Sequence, residues 1–370
     1  MIKVTGIAGA EQHLLTLLPG LRQRGVDARL LALVEPGHPV DELAAVAAEV
    51  DLPFARMVIH SNADIGLTSR LRQYIRAEQP EMVHTHLLHA DLYGIPAARL
   101  AGVRCVLSSR HNDDAFRRKT HWRAIHRVQW RMIDAGIAIS DAIRQFCVDV
   151  EGASPKQIQT IHYGLTPSAM DDPVPRPSLR ESLKLPADAL LIGMVGRLIE
   201  QKGMRYGLEA FARVCGAFPS AHLVIAGDGV LRAELEGVAA ALGIAERTHF
   251  LGWRTDVNQL MGAFDVFLMP SLWEGFGLVL LEAMARSLPV LASRVSAIPE
   301  IVVDGETGLL APPRDVGALE TGLRSLLSNA GMRQRMGSAG AERLHSAFGA
   351  DKMIDATLRL YEQTLLPHQP

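Results

Sequence analysis

The segment from Asp265 to Pro299 constrains the fold of this chain more than any other stretch. Asp265–Met269 is a short apolar run closed by Pro270, which is typical of a buried parallel strand. Glycines interrupt the loop that follows, and Leu278–Arg286 consists of good helix formers. Val290–Ser293 then has the pattern of a second strand. The segment predicts a strand, a glycine-containing loop, a helix and another strand, which is the repeating unit of a parallel sheet.

The same alternation recurs along the whole chain, and it predicts an α/β protein built from doubly wound parallel sheets. Asp171–Ser178 is rich in proline and lacks periodicity, so it predicts a linker between domains 1–170 and 179–345. A length of 370 residues suits two such domains. Val316–Leu366 is helical in pattern. The other strand-like runs are Ile2–Thr5, Arg29–Val34, Ala55–His60, Met82–His86, Val103–Ser109, Gly136–Ile139, Ile158–His162, Leu190–Val195, His222–Ala226 and Thr248–Leu251.

Charge and cysteine usage exclude several classes of function. The formal net charge is −2, which gives no reason to expect nucleic acid as a partner. Cys105, Cys147 and Cys215 are scattered without C-x-x-C spacing, so neither disulfides nor a cysteine metal site is expected. No apolar run reaches the length of a membrane span, and the first residues lack a signal-peptide pattern. We therefore expect a cytoplasmic protein, with peripheral attachment to a membrane left open.

Two carboxylates are the candidate ligand-binding groups of the segment Asp265–Pro299. Glu274 lies in the loop, and Glu282 lies within an otherwise apolar helix, where burying an unpaired charge is costly. Ligands of parallel sheets bind beyond the carboxyl ends of the strands, and Gly275 and Gly277 allow close approach of the backbone. A carboxylate without a cationic neighbour suits hydrogen bonding to sugar hydroxyls. A solvated loop position would account for Glu274 equally well.

A second polar loop follows the strand Leu190–Val195. It contains Arg197 and Lys202, five residues apart. A guanidinium fork and an ammonium point charge at the carboxyl end of a strand suit a diphosphate. Ordinary surface charges are the alternative.

In the first predicted domain, histidines lie at the carboxyl ends of two predicted strands. His86 ends one strand-like run and His111 follows the next. A single histidine of this kind is more often a structural hydrogen-bonding group than a catalyst, and His111 has the better claim because it directly follows a strand. His84, His86 and His89 are close together but lack further ligands at motif spacing, so zinc is not expected.

The segment Ala115–Ile133 contains six Lys and Arg residues and no acid. As a helix it would place Arg123, Arg127 and Arg131 on one ridge, with Trp130 beside it. Such a helix is either an ordinary amphipathic surface helix or a site for an anionic membrane surface or a lipid-phosphate acceptor.

Glu274 and Glu282 together resemble the E-x7-E signature of the retaining glycosyltransferases of family 4, which have the GT-B fold of two Rossmann-like domains. The loop from Gly196 to Gly203 resembles the G-R-x-x-x-x-K-G pattern of that family, and the loop before Glu11 resembles its glycine-glycine-x-Glu loop. The chain departs from the family pattern at three places: Ala8, Thr166 and Ser296–Ala297, where the family usually has glycine, aspartate and two glycines.

The resemblance implies transfer of a sugar from a UDP- or GDP-sugar to an acceptor hydroxyl with retention, in the synthesis of a polysaccharide, glycolipid or other cell-envelope glycan. It implies a glycan or lipid-linked acceptor on the first domain and a last helix, 346–370, that returns to that domain. No D-x-D pair is present, so neither a metal nor a cofactor is expected. The implied site residues are catalytic His111 and Glu274, donor-binding Arg197, Lys202, Glu274, Gly275, Phe276, Gly277, Leu278 and Glu282, and donor or acceptor contacts Gly9, Ala10 and His86.

Three other functions fit the same architecture. A GT-B-fold phosphorylase or a nucleotide-sugar epimerase would share the fold but use phosphate or no acceptor. A non-catalytic sugar-binding module would not need Arg197 and Lys202 at a diphosphate. A dehydrogenase is disfavoured, because no G-x-G-x-x-G follows the first strand of either domain.

Overall fold

The structure is a computed structural model that describes residues 1–38, 40–61, 63–166 and 176–366. The chain forms two compact units. The first comprises Met1–Gly164 together with the segment that begins at Ala350, and the second is Leu165–Gly349. Most of the expected linker, residues 171–175 of 171–178, lies outside the described residues.

Parallel strands form one sheet in each unit, as the sequence predicts. In the described part of the first unit the sheet has seven strands in the order β3-β2-β1-β4-β5-β6-β7, and that of the second has six in the order β10-β9-β8-β11-β12-β13. The strands are β1 Ile2–Lys3, β2 Leu30–Val34, β3 Phe54–Val58, β4 Met82–His86, β5 Cys105–Arg110, β6 Ala135–Ala138, β7 Ile158–Thr160, β8 Leu190–Val195, β9 Ala221–Ala226, β10 Thr248–Gly252, β11 Val266–Met269, β12 Val290–Ser293 and β13 Gly308–Ala311.

Helices alternate with these strands. They are α1 Gly9–Gln23, α2 Asp41–Glu49, α3 Leu67–Glu78, α4 Leu87–Ala101, α5 Thr120–Met132, α6 Asp141–Phe146, α7 Arg176–Ser182, α8 Met204–Val214, α9 Arg232–Ala241, α10 Val257–Ala263, α11 Leu278–Ala285, α12 Ile298–Ile301, α13 Val316–Ser328, α14 Ala330–Ala347 and α15 Ala350–Leu365. None of the described helices combines the length and the apolar character needed to cross a membrane.

Most of the strands are largely apolar, as expected for parallel strands that are covered on both faces. Every residue of β2 is buried, and its letters are Leu-Leu-Ala-Leu-Val. The last helix, α15, belongs to the first unit, where Met353 and Ile354 are buried in the same core as Ile2. Arg24 at the end of α1 pairs with Asp351 and Asp355 of α15 at 2.8 and 2.6 Å.

The predicted strand–loop–helix–strand unit is confirmed as β11, α11 and β12. The segment from Val303 to Leu310 begins with a turn, in which the amide of Glu306 donates to the carbonyl oxygen of Val303 at 3.1 Å, and continues into β13. Strand β13 pairs in parallel with β12 through contacts such as Leu291 with Leu309. The segment Ala115–Ile133 is not a single helix, because a short 3-10 turn at Ala115–Arg118 precedes α5.

Candidate functional site

In the second unit, the loop after β8 packs against the loop after β11. Gly203 has φ of +60°, and a Cβ atom there would lie 2.0 Å from the carbonyl oxygen of Pro270. Only glycine allows this approach. The amide of Leu272 donates to the carbonyl oxygen of Gln201 at 2.7 Å, which ties the two loops together. The polar side chains of both loops are thereby brought to the same edge of the sheet.

This approach places Lys202 beside Glu274. The Lys202 Nζ atom lies 2.7 Å from Glu274 Oε2, and the Ser271 hydroxyl donates to the same oxygen at 3.3 Å. Both side chains are largely buried, with 15% and 10% of their surfaces exposed. The expectation that Glu274 has no cationic neighbour is therefore wrong, because Lys202 reaches it from the other loop.

Arg197 and Glu282 differ from this pair because neither is engaged by the protein. Arg197 is exposed at the end of β8, and its guanidinium makes no hydrogen bond or ion pair within the described residues. Glu282 is 9% exposed on α11, and no described side chain or backbone group donates to its carboxylate. Burial raises the pKa of Glu282 from 4.5 to about 7. Hydroxyl groups of a ligand could donate hydrogen bonds to this carboxylate and stabilise its charged form.

The loop Gly275–Leu278 connects Glu274 to α11. Phe276 is buried and its ring meets that of Phe348 edge-on at 6.0 Å, so this side chain anchors the loop. Gly277 precedes α11 with φ of +95°, and a Cβ there would crowd Leu280 and Met269 at 3.2 and 3.3 Å. Gly277 provides no side chain to cap the first turn of α11, so the N–H groups at this helix start receive no side-chain cap.

In the first unit, the histidines at the ends of β4 and β5 meet. The Nδ1 atom of His86 lies 3.1 Å from Nε2 of His111, and Nδ1 of His111 shares a hydrogen bond with the Tyr163 hydroxyl. All three residues are buried. Burial, followed by repulsion from neighbouring charges, holds the pKa values of His86 and His111 well below the ordinary value. Both imidazoles are therefore neutral, and one donates a hydrogen bond to the other.

Two further histidines complete this cluster. His84 bonds the Tyr361 hydroxyl at 2.7 Å and the Ser109 hydroxyl at 2.8 Å. His13 stacks on the Tyr163 ring at 4.3 Å, and its Nδ1 is buried with no hydrogen-bond partner. Burial lowers the pKa of His13 to about 3. We use the name histidine cluster for His13, His84, His86 and His111.

Sequence reasoning did not identify His13 or Tyr163 as part of the site. Tyr163 lies just beyond the end of β7, and polar residues directly after parallel strands are the available signal. His13 lies inside α1, where the sequence gives no comparable signal. Gly9 and Ala10 open α1, and the carboxylate of Glu11 accepts the amide of Ala8 at 3.0 Å, which caps this helix.

An ionic network lies directly behind His111. The buried guanidinium of Arg110 pairs with Asp91 and, at 2.9 Å, with Glu151. Arg117 reaches the other oxygen of Glu151 at 2.7 Å. Burial alone would raise the pKa of Glu151, but the two guanidinium groups lower it to about 2. The network fixes the end of β5, from which His111 projects.

The same network corrects the expectation for the basic segment. Trp130 is 3% exposed and donates from Nε1 to Glu151 at 3.1 Å, so it does not lie beside a surface ridge. Arg127 and Arg131 are exposed, whereas Arg123 is half-buried and donates to the carbonyl of Val150 at 3.3 Å. The outer face of α5 also carries Val128, which is 52% exposed.

Comparison with family models matches almost the whole chain. Residues 7–168 match the model described as Glycosyltransferase Family 4, and residues 175–343 match the model described as Glycosyl transferases group 1.

Among curated relatives, the chain is 28% identical to the phosphatidyl-myo-inositol mannosyltransferase of Mycobacterium leprae, over 96% of this chain and 92% of that protein. It is 34% identical to the lipopolysaccharide core biosynthesis glycosyltransferase LpsE of Rhizobium meliloti, over 49% of this chain and 52% of that protein. The chain thus spans about half the length of LpsE. The crystal structure of HepE from Anabaena in complex with UDP-glucose has the same fold, with a TM-score of 0.83, 21% identity and coverage of 98% and 99% of the two chains.

Proposed function

The chain belongs to glycosyltransferase family 4, and on this basis we propose that it moves a sugar from a UDP- or GDP-sugar to an acceptor hydroxyl with retention of anomeric configuration. The second unit would bind the donor and the first would bind the acceptor. The acceptor would be a growing glycan or a lipid-linked sugar of the cell envelope.

The observation that carries this proposal is the unengaged carboxylate of Glu282. A buried carboxylate without donors is costly, and the neutral form is favoured in the unliganded protein. The two neighbouring hydroxyls of a ribose are donors that match two carboxylate oxygens. Their hydrogen bonds would favour the charged form and offset the cost of burial.

Arg197 and Lys202 would hold the diphosphate of the same nucleotide. During transfer the bond from the anomeric carbon to the phosphate oxygen breaks, and a bond to the acceptor oxygen forms. Negative charge grows on the departing phosphate, so fixed cations stabilise the transition state more than the ground state. The departing phosphate takes the proton of the acceptor hydroxyl, so no protein base is required. This chemistry also needs no metal ion.

The donor sugar would lie against Glu274, Gly275 and the amides of Phe276–Leu278. His111 would contact the sugar or its phosphate, and His86, Gly9 and Ala10 would contact the donor or the acceptor. The Lys202–Glu274 contact supports this assignment, because the residue proposed for the diphosphate and the residue proposed for the sugar are adjacent, as those two groups are in a nucleotide sugar.

The names of the relatives support an envelope acceptor. One acts on phosphatidyl-myo-inositol and another in lipopolysaccharide core synthesis. The outer face of α5, with Arg127, Arg131 and Val128, suits adsorption to anionic lipid on the inner face of the cytoplasmic membrane. We propose that this face brings a cytoplasmic enzyme to its acceptor.

Calorimetric titration with UDP, GDP and ADP, followed by the corresponding nucleotide sugars, tests the donor assignment. We expect UDP or GDP to bind, and turnover of the matching sugar nucleotide to continue in EDTA. Glu282→Gln should weaken nucleotide binding about tenfold or more, as expected when a charged hydrogen-bond acceptor is lost. Glu246→Gln, an exposed position before β10, is the matched control.

Three outcomes would contradict the proposal. Binding of sugar phosphates in preference to nucleotides would favour the phosphorylase. Inversion at the anomeric carbon, read by NMR of the product, would exclude retention. Complete loss of turnover in EDTA with recovery in magnesium would show that the leaving group depends on a metal ion.

A further inference from the structure

Ser296 occupies a backbone conformation that favours glycine. It lies in the turn between β12 and α12 and has φ of +45°. Residues with a Cβ atom rarely adopt this region, because the side chain crowds its own backbone. Serine therefore occupies position 296 at some cost in backbone strain, which glycine at the same position would not have.

The hydroxyl of Ser296 makes one contact that a glycine could not make. Its oxygen accepts the amide of Glu274 at 3.3 Å. Within the described residues, the Glu274 amide donates to Ser296 and to no backbone carbonyl. Ser296 thus connects the turn after β12 to the loop after β11.

Glu274 is consequently held from two sides. Its carboxylate is fixed by Lys202 and by Ser271, which is fully buried, and its amide is fixed by Ser296. The peptide unit before Glu274 is held at both of its polar groups, since Nε2 of Gln201 donates to the carbonyl oxygen of Trp273 at 3.2 Å and the Glu274 amide donates to Ser296. The contact with Gln201 is exposed to solvent, whereas the contact with Ser296 is partly buried, so Ser296 provides the more protected of the two.

We propose that Ser296 is a positioning residue, which orients Glu274 for the donor sugar by accepting the Glu274 amide. This inference rests on the proposed function only for the identity of the ligand. In this role Ser296 acts through Glu274 and needs no contact with the sugar. Its effect is confined to the part of the donor that Glu274 touches, and the nucleotide held by Glu282 and Arg197 is not affected.

Hydrogen exchange of the Glu274 amide tests the contact without any ligand. Ser296→Ala keeps the strained backbone and loses the hydroxyl, whereas Ser296→Gly loses both. We expect exchange at Glu274 to accelerate about tenfold in both variants, because the hydrogen bond that protects it is absent. Ser287→Gly is the matched control, since Ser287 also has a positive φ, +52°, in the same unit but does not contact Glu274. Unchanged exchange in both Ser296 variants would overturn the proposal.

Donor binding then tests the consequence. Both Ser296 variants should lower kcat/KM for the nucleotide sugar about three- to tenfold while leaving the affinity for the free nucleoside diphosphate within about twofold, a loss equivalent to one neutral hydrogen bond. Equal losses for nucleotide and nucleotide sugar would overturn a positioning role in favour of a general structural one. If wild-type protein binds no nucleotide sugar, the proposed function fails, and the exchange experiment still decides whether Ser296 orients Glu274.

Discussion

The carboxyl ends of the two sheets both carry buried ionisable groups, but the two units stabilise them in different ways. In the first unit His84, His86 and His111 hydrogen-bond to one another or to tyrosine and serine hydroxyls. In the second unit Glu282 has no donor within the described residues. The hydrogen bonds of His84, His86 and His111 are thus formed without a ligand, although Nδ1 of His13 has no partner among the described residues, whereas the carboxylate of Glu282 is left for a ligand to stabilise.

This difference indicates that the site groups of the first unit are preorganised and that those of the second unit select the ligand. A network that is already satisfied holds its groups in place and changes little on binding. An unpaired buried carboxylate is stabilised when a ligand donates hydrogen bonds to it, so it discriminates between ligands that carry such donors and ligands that lack them. We therefore expect the second unit to dominate nucleotide affinity and the first to contribute mainly geometry.

The two edges also respond to pH with opposite sign. The buried histidines have folded pKa values below their unfolded value of 6.5, so they stabilise the fold above pH 6.5, and that stability is lost as the pH falls. Glu282 has a folded pKa of about 7, above its unfolded value of 4.5. Its contribution is favourable at low pH and is lost as the pH rises between those values.

The largest expected effect is acid unfolding of the first unit. Each buried neutral histidine removes up to about 1.4 kcal/mol of unfolding free energy per pH unit, so the histidine cluster as a whole removes on the order of 4 kcal/mol between pH 6.5 and 5.5. Urea unfolding at these two pH values measures it. In a Trp253→Phe, Trp273→Phe background, the remaining tryptophans report on the first unit alone.

His13→Phe should reduce this pH dependence by about one proton, because the ring that stacks on Tyr163 is retained and the titrating nitrogen is removed. The exposed His60→Phe is the matched control. An unfolding free energy of the first unit that does not change between the two pH values would refute the neutral histidine cluster.

The next largest effect is expected at the diphosphate. Arg197→Ala or Lys202→Ala should each cost roughly 2–4 kcal/mol of transition-state stabilisation, or about 30- to 1,000-fold in kcat/KM, as for the loss of one preorganised donor. The exposed Arg335→Ala on α14 serves as the control. Full turnover by the double variant would eliminate this assignment.

The Arg197→Ala and Lys202→Ala variants should differ in their free energy of unfolding. Arg197 is exposed and unengaged, so its removal should leave the unfolding free energy unchanged. Removal of Lys202 leaves the largely buried Glu274 without its cation and should lower the unfolding free energy measurably. Thermal unfolding of both variants without nucleotide makes this comparison.

A smaller effect is expected from Glu282→Gln on stability. The variant should be more stable than wild type by up to about 3 kcal/mol at pH 8 and by nearly nothing at pH 4.5, because the carboxylate must ionise in the buried site only at the higher pH. Nucleotide binding near pH 6.5 should release a proton in wild type and not in the variant. Calorimetry in buffers of different ionisation enthalpy measures this release, and proton uptake would contradict the assigned role.

The smallest effect is expected at the outer face of α5. Each arginine there should contribute about 1 kcal/mol to adsorption on anionic lipid. Sedimentation with phosphatidylglycerol vesicles should show binding that weakens with salt and with Arg127→Gln and Arg131→Gln. Arg123→Gln should have less effect, because its guanidinium is turned to the carbonyl of Val150. A wild-type protein that ignores these vesicles at low salt would leave α5 as a solvated helix.

Much of the fold follows from local pattern. Strands β8 and β12 have the bounds that the sequence predicts, because a strand buried on both faces is largely apolar along its length. Strand β4 also has its predicted bounds, although it contains His84, Thr85 and His86. The glycine-containing segments after β8 and β11 connect strand to helix, as the sequence predicts. The local pattern gives the wrong environment for Trp130. The sequence predicts that Trp130 lies on the surface beside a ridge of arginines, whereas its indole is buried and donates to the buried carboxylate of Glu151.

The sequence by itself determined the class of the fold, the two parallel sheets and the loops that carry Arg197, Lys202, Glu274 and Glu282, since each of these depends on residues close together in the chain. Only the tertiary structure decided that Lys202 pairs with Glu274, 72 residues away, and that His86 meets His111. Such contacts depend on which strands are neighbours and in what register they pair, and these are set by the packing of the whole sheet rather than by any one segment.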